Sequence, residues 1–316
     1  MANSAAHPDF QIVPSDNARR IAQFKRAEII SLYEKSLPVP PEMANEFYDF
    51  DLWECEQSKL VYALPAAPGT SRFYEWITKE DQYYPTIRVE WPIIGDEIAN
   101  LSPDQHVLDI GSGAGNLLDY LRTRTKASLH GLDATPTSVE ICRSKGHTAH
   151  LGMLSDLIAN EENHGKFSAV IMTHLLEHVP RPIELVSEAL VLLKRDGGKL
   201  FISTPHSPTL YEASGYHGKN LPPHHLTRWR ASSYEHLAKR FGLKVELRSL
   251  VTMSPLRPYV DHFAFALDLP RFGRKRLLLE GIKHPIQLAK SLYAVWTRDR
   301  ANGKTIGSDI LGIFKY

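Results

Sequence analysis

The sequence predicts an α/β fold built on a parallel sheet, and three observations carry that prediction. Short apolar runs recur at His106–Ile110, Ser128–Asp133, Thr148–Leu151, Ala169–Thr173 and Lys199–Thr204. Helical patterns at 136–145 and 181–194 alternate with them, the signature of βαβ units whose strands are buried on both faces. A glycine turn, Gly111-Ser-Gly-Ala-Gly115, closes the first run just where a helix begins near Asn116.

The remaining elements follow along the chain. Residues 17–36 place Ile21, Phe24, Ile29, Leu32 and Tyr33 near helical spacing, so an amphipathic helix is expected there, ended by the Leu-Pro-Val-Pro-Pro run at 37–41. Residues 47–75 mix aromatics, prolines and short apolar runs and read as irregular or small β structure. A helix over Glu90–Ile98 precedes the first apolar strand. Capping boxes at Thr137/Glu140 and Ser232/Glu235 mark two helix starts, and Gly242 ends the second helix before a strand at Leu243–Leu250. Residues 308–316 form a last strand. No internal repeat or low-complexity tract interrupts this pattern.

Composition bounds the function. The 316 residues suit one large α/β domain with extensions, or two modest domains. Thirty-seven basic and 36 acidic residues leave a net charge of +1, which gives no global field for nucleic acid or membrane. Two cysteines, Cys55 and Cys142, exclude a disulfide framework and a four-cysteine zinc site and fit a reducing compartment. The N-terminus lacks the basic and apolar regions of a leader, and no apolar run reaches the ~18 residues of a spanning helix, so a cytoplasmic protein is expected.

The sharpest feature is His106-Val-Leu-Asp-Ile-Gly-Ser-Gly-Ala-Gly-Asn116. Gly111, Gly113 and Gly115 permit positive φ and let a ligand approach the backbone, beside a helix N-terminus that favours a carboxylate. Asp133, 24 residues beyond Asp109 at the end of the next apolar run, is placed to accept from the hydroxyls of a ribose. A dinucleotide site wants G-x-G-x-x-G. Here an acid stands just ahead of a G-x-G-x-G turn, which repels pyrophosphate and suits a ligand bearing an ammonium group.

With that turn the chain resembles the class I S-adenosylmethionine-dependent methyltransferases. Phe167–Val179, containing Leu-Leu-Glu-His-Val, and Gly197-Gly-Lys-Leu-Phe-Ile-Ser-Thr-Pro205 look like that fold's fourth and fifth strand regions. Together with Pro222-Pro-His-His-Leu-Thr-Arg-Trp229, they are similar to the branch holding ubiquinone-biosynthesis O-methyltransferases and enzymes of antibiotic and polysaccharide pathways. The likeness covers roughly 74–251 and the final strand. It implies a Rossmann-like, mostly parallel seven-stranded sheet with an antiparallel last strand. It further implies S-adenosylmethionine as cofactor, with Asp109 and the three glycines at the methionyl end, Asp133 and Ala134 at the ribose, and Met153 and Leu154 at the adenine. Thr173 and His174 would line the cofactor near its sulfur, and Tyr84 would cover it.

Methyl transfer from a sulfonium is an in-line displacement that needs alignment, exclusion of water and sometimes a base. Fifteen histidines occur, so position has to choose among them. His178, after the fourth strand region, is the first candidate base and His224 the second, although packing and loop-capping roles account for both residues about as well. His-Leu-Leu-Glu-His lacks the glutamate placement of the H-E-x-x-H zinc motif, and no metal is expected. The residues after the fourth strand, Met-Thr-His-Leu, lack the proline pair of amino-group nucleic-acid methyltransferases, and neither cysteine sits at a nucleophile position. Nucleic acid is therefore not the expected substrate.

The domain reading is an N-terminal helical, ribbon-like extension over 1–73, the methyltransferase domain over 74–251, a basic helical insertion over 252–307 and a final strand over 308–316. Leu52–Tyr62 resembles a zinc-ribbon half whose second cysteine is replaced by Ser58, so a ribbon without metal is expected. The insertion holds ten Lys/Arg against four acids, a net +6 that leaves −5 for the rest of the chain. A basic lid suggests an anionic small-molecule or lipid-linked glycan acceptor, or peripheral membrane contact through 271–296, while a solvated helical cap accounts for it equally. O-methylation of a small molecule or glycan/lipid-linked intermediate is the expected function. A protein or peptide acceptor, and a cofactor-binding partner without turnover, stay open. The oligomeric state stays unknown.

Overall fold

The computed structural model describes residues 17–35, 37–78, 87–207, 218–250, 263, 267, 274–301 and 308–316. Two sheets organise them. The N-terminal sheet contains β1 (Ala18–Phe24), β2 (Phe50–Cys55), β3 (Val61–Leu64) and, from far along the chain, β9 (Thr227–Arg228). The larger sheet runs β10 (Lys244–Leu250), β11 (Asp309–Lys315), β8 (Lys199–Pro205), β7 (Phe167–Thr173), β4 (His106–Ile110), β5 (Ser128–Asp133), β6 (Thr148–Leu151). Strands β4 to β8 pair in parallel, and β11 is antiparallel to both β8 and β10. This is the expected mostly parallel seven-stranded sheet.

Helices α3 (Glu90–Ile98), α4 (Asn116–Leu121), α5 (Pro136–Ser144), α6 (Leu154–Ile158), α7 (Pro182–Leu192) and α8 (Ala231–Phe241) accompany the large sheet. Trp91, Ile94 and Ile98 of α3 pack with Val107, Ile171 and Phe201, while Val186, Ala189 and Leu192 of α7 pack with Val170, Met172 and Ile202. Val170 and Ile171 thus bury opposite faces of one strand, as a sheet covered on both sides requires. The first parallel strand, β4, lies between β7 and β5, so the order reverses beside it, and open α/β sheets hold ligands at the carboxyl ends of such a point.

The expected helix over 17–36 is corrected. Residues 18–24 form strand β1, and only α1 (Arg26–Glu34) is helical. Along β1 Phe24 alone is fully buried, stacked on Phe50 at 5.2 Å, while Ile21 is exposed. Cross-strand pairs of Arg19 with Glu54 and Arg20 with Asp51 hold the edge. Asp49 then accepts from Arg26 N–H at 2.8 Å, satisfying a donor at the helix start from outside. The extension thus combines a small antiparallel sheet with short helices. Its core joins Phe50, Leu52 and Val61 to Ile29 and Tyr33 of α1 and to Phe73 and Ile77 of α2 (Ser71–Ile77).

Both expected capping boxes are also corrected. Helix α5 starts after Thr135 with Pro136 in its first turn, a position that tolerates the missing N–H, so Thr137 lies inside the helix. Helix α8 begins at Ala231 after Arg230 without a side-chain cap, so Ser232 lies inside the first turn, where it and Ser233 donate their hydroxyls to Ser58 O at 2.9 Å. Gly242 ends α8 in the left-handed conformation, as expected. In the β2–β3 turn Ser58 N–H donates to Cys55 Sγ at 3.3 Å, and Ser58 Oγ accepts from Leu60 N–H. Two further helices, α9 (Arg274–Lys283) and α10 (Pro285–Ala301), occupy the basic insertion. Among the described residues no helix is long and apolar enough to cross a membrane.

Candidate active site

The glycine turn hangs from β5. Gly111 and Ser112 N–H both donate to Leu132 O, at 2.8 and 3.1 Å, and Gly113 N–H donates to Asp133 Oδ2 at 2.9 Å. All three glycines have positive φ, but their surroundings differ. A Cβ on Gly115 would lie 2.6 Å from Cys142 Sγ, so that glycine serves close packing of α4 on α5. A Cβ on Gly113 would meet nothing within 4 Å. Gly113 therefore borders open space, the cradle a ligand needs.

Asp109 is buried in the strand just below. Burial, reinforced by the Asp133 carboxylate, holds its pKa well above the usual carboxylate range. A ligand ammonium would relieve that cost. Asp133 itself already accepts two backbone N–H bonds, from Gly113 and from Thr135 at 2.8 Å, so it shapes the turn. Each of its oxygens keeps a second lone pair for a ribose hydroxyl. Ala134 is exposed beside it. Met153 is exposed at the start of α6 and its N–H donates to Asp156 Oδ2 at 2.7 Å, while Leu154 is buried in the core. Only the backbone of Leu154 remains for an adenine. Tyr84 lies outside the described residues.

Beyond β7 the chain makes a tight turn from Thr173 to His178. His174 has φ +50, uncommon for a residue with a side chain, and its N–H donates to Ser203 O at 2.9 Å. Its imidazole stands at ion-pair distance from three carboxylates: Glu90 at 3.4 Å, Glu177 at 3.5 Å and Asp309 at 3.9 Å. Burial and Arg88 disfavour the charged ring, yet the bonds to Glu177 and Glu90 outweigh them and bring its pKa to about 9. His174 is thus a fixed cation at neutral pH, unsuited to act as a base. Burial raises the pKa of Glu90 and of Glu177, but that cation reverses the balance and holds both below the ordinary value.

His178 and His224 come together as candidates should, and His225 joins them. The ring centroids of His178 lie 4.6 Å from His224 and 4.8 Å from His225, and the two loop histidines stack at 4.5 Å. Burial lowers all three pKa values, for His178 against the opposing Glu177 carboxylate. The rings are therefore neutral at neutral pH. His178 Nδ1 faces His224 O at 2.7 Å and His224 Nδ1 faces Lys219 O at 2.8 Å. A carbonyl only accepts, so both rings are assigned Nδ1–H and carry their lone pair on Nε2. The ligand atoms of the three histidines lie within 4.8 Å of one another, an arrangement that could hold a metal ion.

Backbone bonds dock the loop that carries His224 and His225. Leu226 and Thr227 N–H donate to Glu177 O, and Tyr33 Oη from the extension donates to Leu221 O at 3.0 Å. Tyr74 of α2 packs against His178 and His224, with ring centroids 6.1 and 6.3 Å away. Sequence reasoning missed Tyr74, Glu90 and Asp309. Glu90 carried a usable signal, since it falls on the same helical face as Trp91, Ile94 and Ile98, where a charge needs a partner.

Comparison with known proteins agrees with this geometry. Residues 89–247 match a family model described as a methyltransferase domain. The ubiquinone biosynthesis O-methyltransferase of Xanthomonas oryzae pv. oryzae (strain PXO99A) is 38% identical over 104 residues, covering 31% of this chain and 42% of that protein. The enzyme of the same name from Actinobacillus pleuropneumoniae serotype 5b (strain L20) is 32% identical over 106 residues, covering 31% and 44%. The alignments thus span less than half the length of these curated relatives. A solved S-adenosylmethionine-dependent methyltransferase from Archaeoglobus fulgidus superposes with TM-score 0.52 at 15% identity, over 77% of this chain and 100% of that one, and shares the fold. The chain belongs to the methyltransferase-domain family, as a class I S-adenosylmethionine-dependent methyltransferase.

Proposed function

We propose that the protein methylates an oxygen of a small molecule or lipid-linked intermediate held between the glycine turn and the histidine cluster. One observation carries the reading. The turn after β7 touches both sites, with Leu175 against Gly111 (3.2 Å from an added Cβ) at one end and His178 in the cluster at the other. S-adenosylmethionine, when bound, supplies a methyl group already activated on a sulfonium. Asp109 and the open side of Gly113 suit its amino-acid end, and Asp133 suits its ribose.

On the acceptor side the chain has to position a hydroxyl and take its proton. His178 Nε2, which carries the lone pair in the assigned tautomer, would take the proton of the acceptor hydroxyl, and S-adenosylmethionine would supply the methyl group to that oxygen and leave as S-adenosylhomocysteine. Tyr74, its phenol kept protonated by burial and by Glu177, would donate to the acceptor. Leu279, Ile282, Ile286 and Tyr293 are exposed along α9 and α10 beside Lys283 and Lys290, which supports an acceptor taken from an anionic lipid surface by a cytoplasmic, membrane-peripheral enzyme. The test is calorimetry with S-adenosylmethionine, followed by release of S-adenosylhomocysteine on adding a lipid extract. Tight binding with release, lost in His178→Ala while binding persists, is expected. Release undiminished in that variant would refute the base.

A further inference from the structure

The glycine turn is held from a second side. Gly113 N–H is bonded to Asp133 of β5, while residues 114–116 are held from α5 by one side chain, Lys145. Lys145 stands at the C-terminal end of α5. Its ammonium donates to Ala114 O at 2.8 Å and to Asn116 Oδ1 at 2.9 Å, and lies 3.0 Å from Asp119 Oδ2. An ammonium has three N–H donors, and three acceptors meet it here. The Asp119 carboxylate is engaged on both oxygens, since Oδ1 lies 2.7 Å from His147 Nε2. Burial would raise the Asp119 pKa, but the bonds to Lys145 and His147 outweigh it and hold it below the ordinary value. An exposed ion pair by itself contributes little. These bonds matter because of where they land. Ala114 lies between Gly113 and Gly115, both at positive φ, and glycine has the most backbone freedom to lose on ordering. A Cβ on Gly115 would lie 2.6 Å from Cys142 Sγ, so the helix that carries the lysine is seated against the turn. The open side of Gly113 therefore lies between two fixed points, one set by Asp133 and one by Lys145.

We propose that Lys145 is a positioning residue for the cofactor, which fixes, through Ala114 and Asn116, the shape of the turn that receives the cofactor's amino-acid tail. It acts without touching the ligand, and it leaves the ribose and adenine positions at Asp133 and the start of α6 as they are. The inference rests on the reading above, which places that tail at Asp109 and Gly113. Lys145 then governs the affinity of ligands that have the tail and is indifferent to those that lack it.

The test compares two neutral thioethers by calorimetry on the full chain: S-adenosylhomocysteine, which has the tail, and methylthioadenosine, which lacks it. The wild type should prefer the first. In Lys145→Met the affinity for S-adenosylhomocysteine should fall about tenfold or more, as expected for losing charge-assisted bonds, while that for methylthioadenosine stays unchanged. Lys145→Arg, which keeps a cationic donor for the same acceptors, should recover most of the loss. Lys145→Gln supplies the same comparison if Lys145→Met does not fold. Arg122→Met is the control, because Arg122 donates to Lys145 O at 3.0 Å and braces the same helices without touching the turn. It should lower the melting temperature and leave both affinities as in the wild type. Equal weakening of both ligands in the Lys145 variants, or an unchanged affinity for S-adenosylhomocysteine, overturns the proposal and leaves the cofactor reading standing. A wild-type protein that binds both ligands alike refutes the placement of the tail at the turn, and the role of Lys145 falls with it.

Discussion

Acid should unfold this protein in part through a histidine ladder across β4, β5 and β6. His106, His130 and His150 lie on neighbouring strands β4, β5 and β6. His106 Nδ1 and His130 Nε2 are 3.0 Å apart, His150 stacks on His130 at 5.8 Å, and His130 Nδ1 is buried without a partner. Burial first, then His106, His150 and Lys166, lowers the His130 pKa from 6.5 to about 4. The folded state therefore takes up this proton later than the unfolded chain, and stability falls as pH drops from 6.5 towards 4. Fully expressed, that gap is worth about 3 kcal/mol at about 1.4 kcal/mol per tenfold in proton affinity. At about pH 5 roughly 2 kcal/mol would be realised, and partial exposure of the ring reduces this to about 1 kcal/mol. His130→Leu removes the titrating group. Urea unfolding at about pH 7.5 and pH 5 should then show the midpoint falling less in the variant than in the wild type, by about 0.3–0.5 M for a chain of this size. Parallel pH dependences in the two proteins would refute the reasoning, whatever their absolute stabilities.

His174 should behave in the opposite sense. Its folded pKa of about 9 exceeds 6.5, so its contribution is present below 6.5 and is lost as pH rises through about 9. His174→Gln should cost about 3–5 kcal/mol at neutral pH, by leaving Glu90, Glu177 and Asp309 without their cation, and melting curves should lose the alkaline drop seen in the wild type. Gly113→Ala should cost about 1 kcal/mol of backbone strain and weaken S-adenosylmethionine binding at least tenfold by calorimetry. Gly115→Ala adds a clash with Cys142 and should be the more destabilising of the two, by about 2 kcal/mol or more in a thermal melt. Ile282→Glu with Ile286→Glu should abolish co-sedimentation with anionic vesicles and leave cofactor affinity unchanged.

What could be read in the sequence was set by local chemistry. Strands β4, β5 and β6 stand where the apolar runs placed them because their burial and turn glycines are encoded within a few residues. Asp109, the three glycines and Asp133 were legible for the same reason. Strand β1 was not, since its edge is held by arginines paired to Glu54 and Asp51 over 30 residues away, and Ile21 imitated a helical stripe while facing solvent. The capping boxes failed because both helices begin earlier, at Pro136 and Ala231, which puts Thr137 and Ser232 inside the first turn. The meeting of residues 178 and 224–225 was hidden differently: it depends on long-range bonds, from Leu226 and Thr227 N–H to Glu177 O and from His178 Nδ1 to His224 O, which no local sequence pattern records.

Those backbone bonds also explain why the extension matters. Strand β9 lies within the span of the family model, yet it pairs with β3 of the N-terminal sheet and not with the seven-stranded one. Tyr33 holds Leu221, and the Gly218 backbone packs so closely on Leu32 and Tyr33 that a Cβ there would sit 2.7 Å from Tyr33 N. Tyr74, against the histidine rings, comes from the extension's own core. The glycine turn is thus built from β4, β5 and the turns that follow them, whereas the histidine cluster is assembled with help from both sheets. Under the methyl-transfer reading proposed above, the extension is the part of the chain that sets Tyr74 against His178 and His224 and holds the loop carrying His224 and His225 in place.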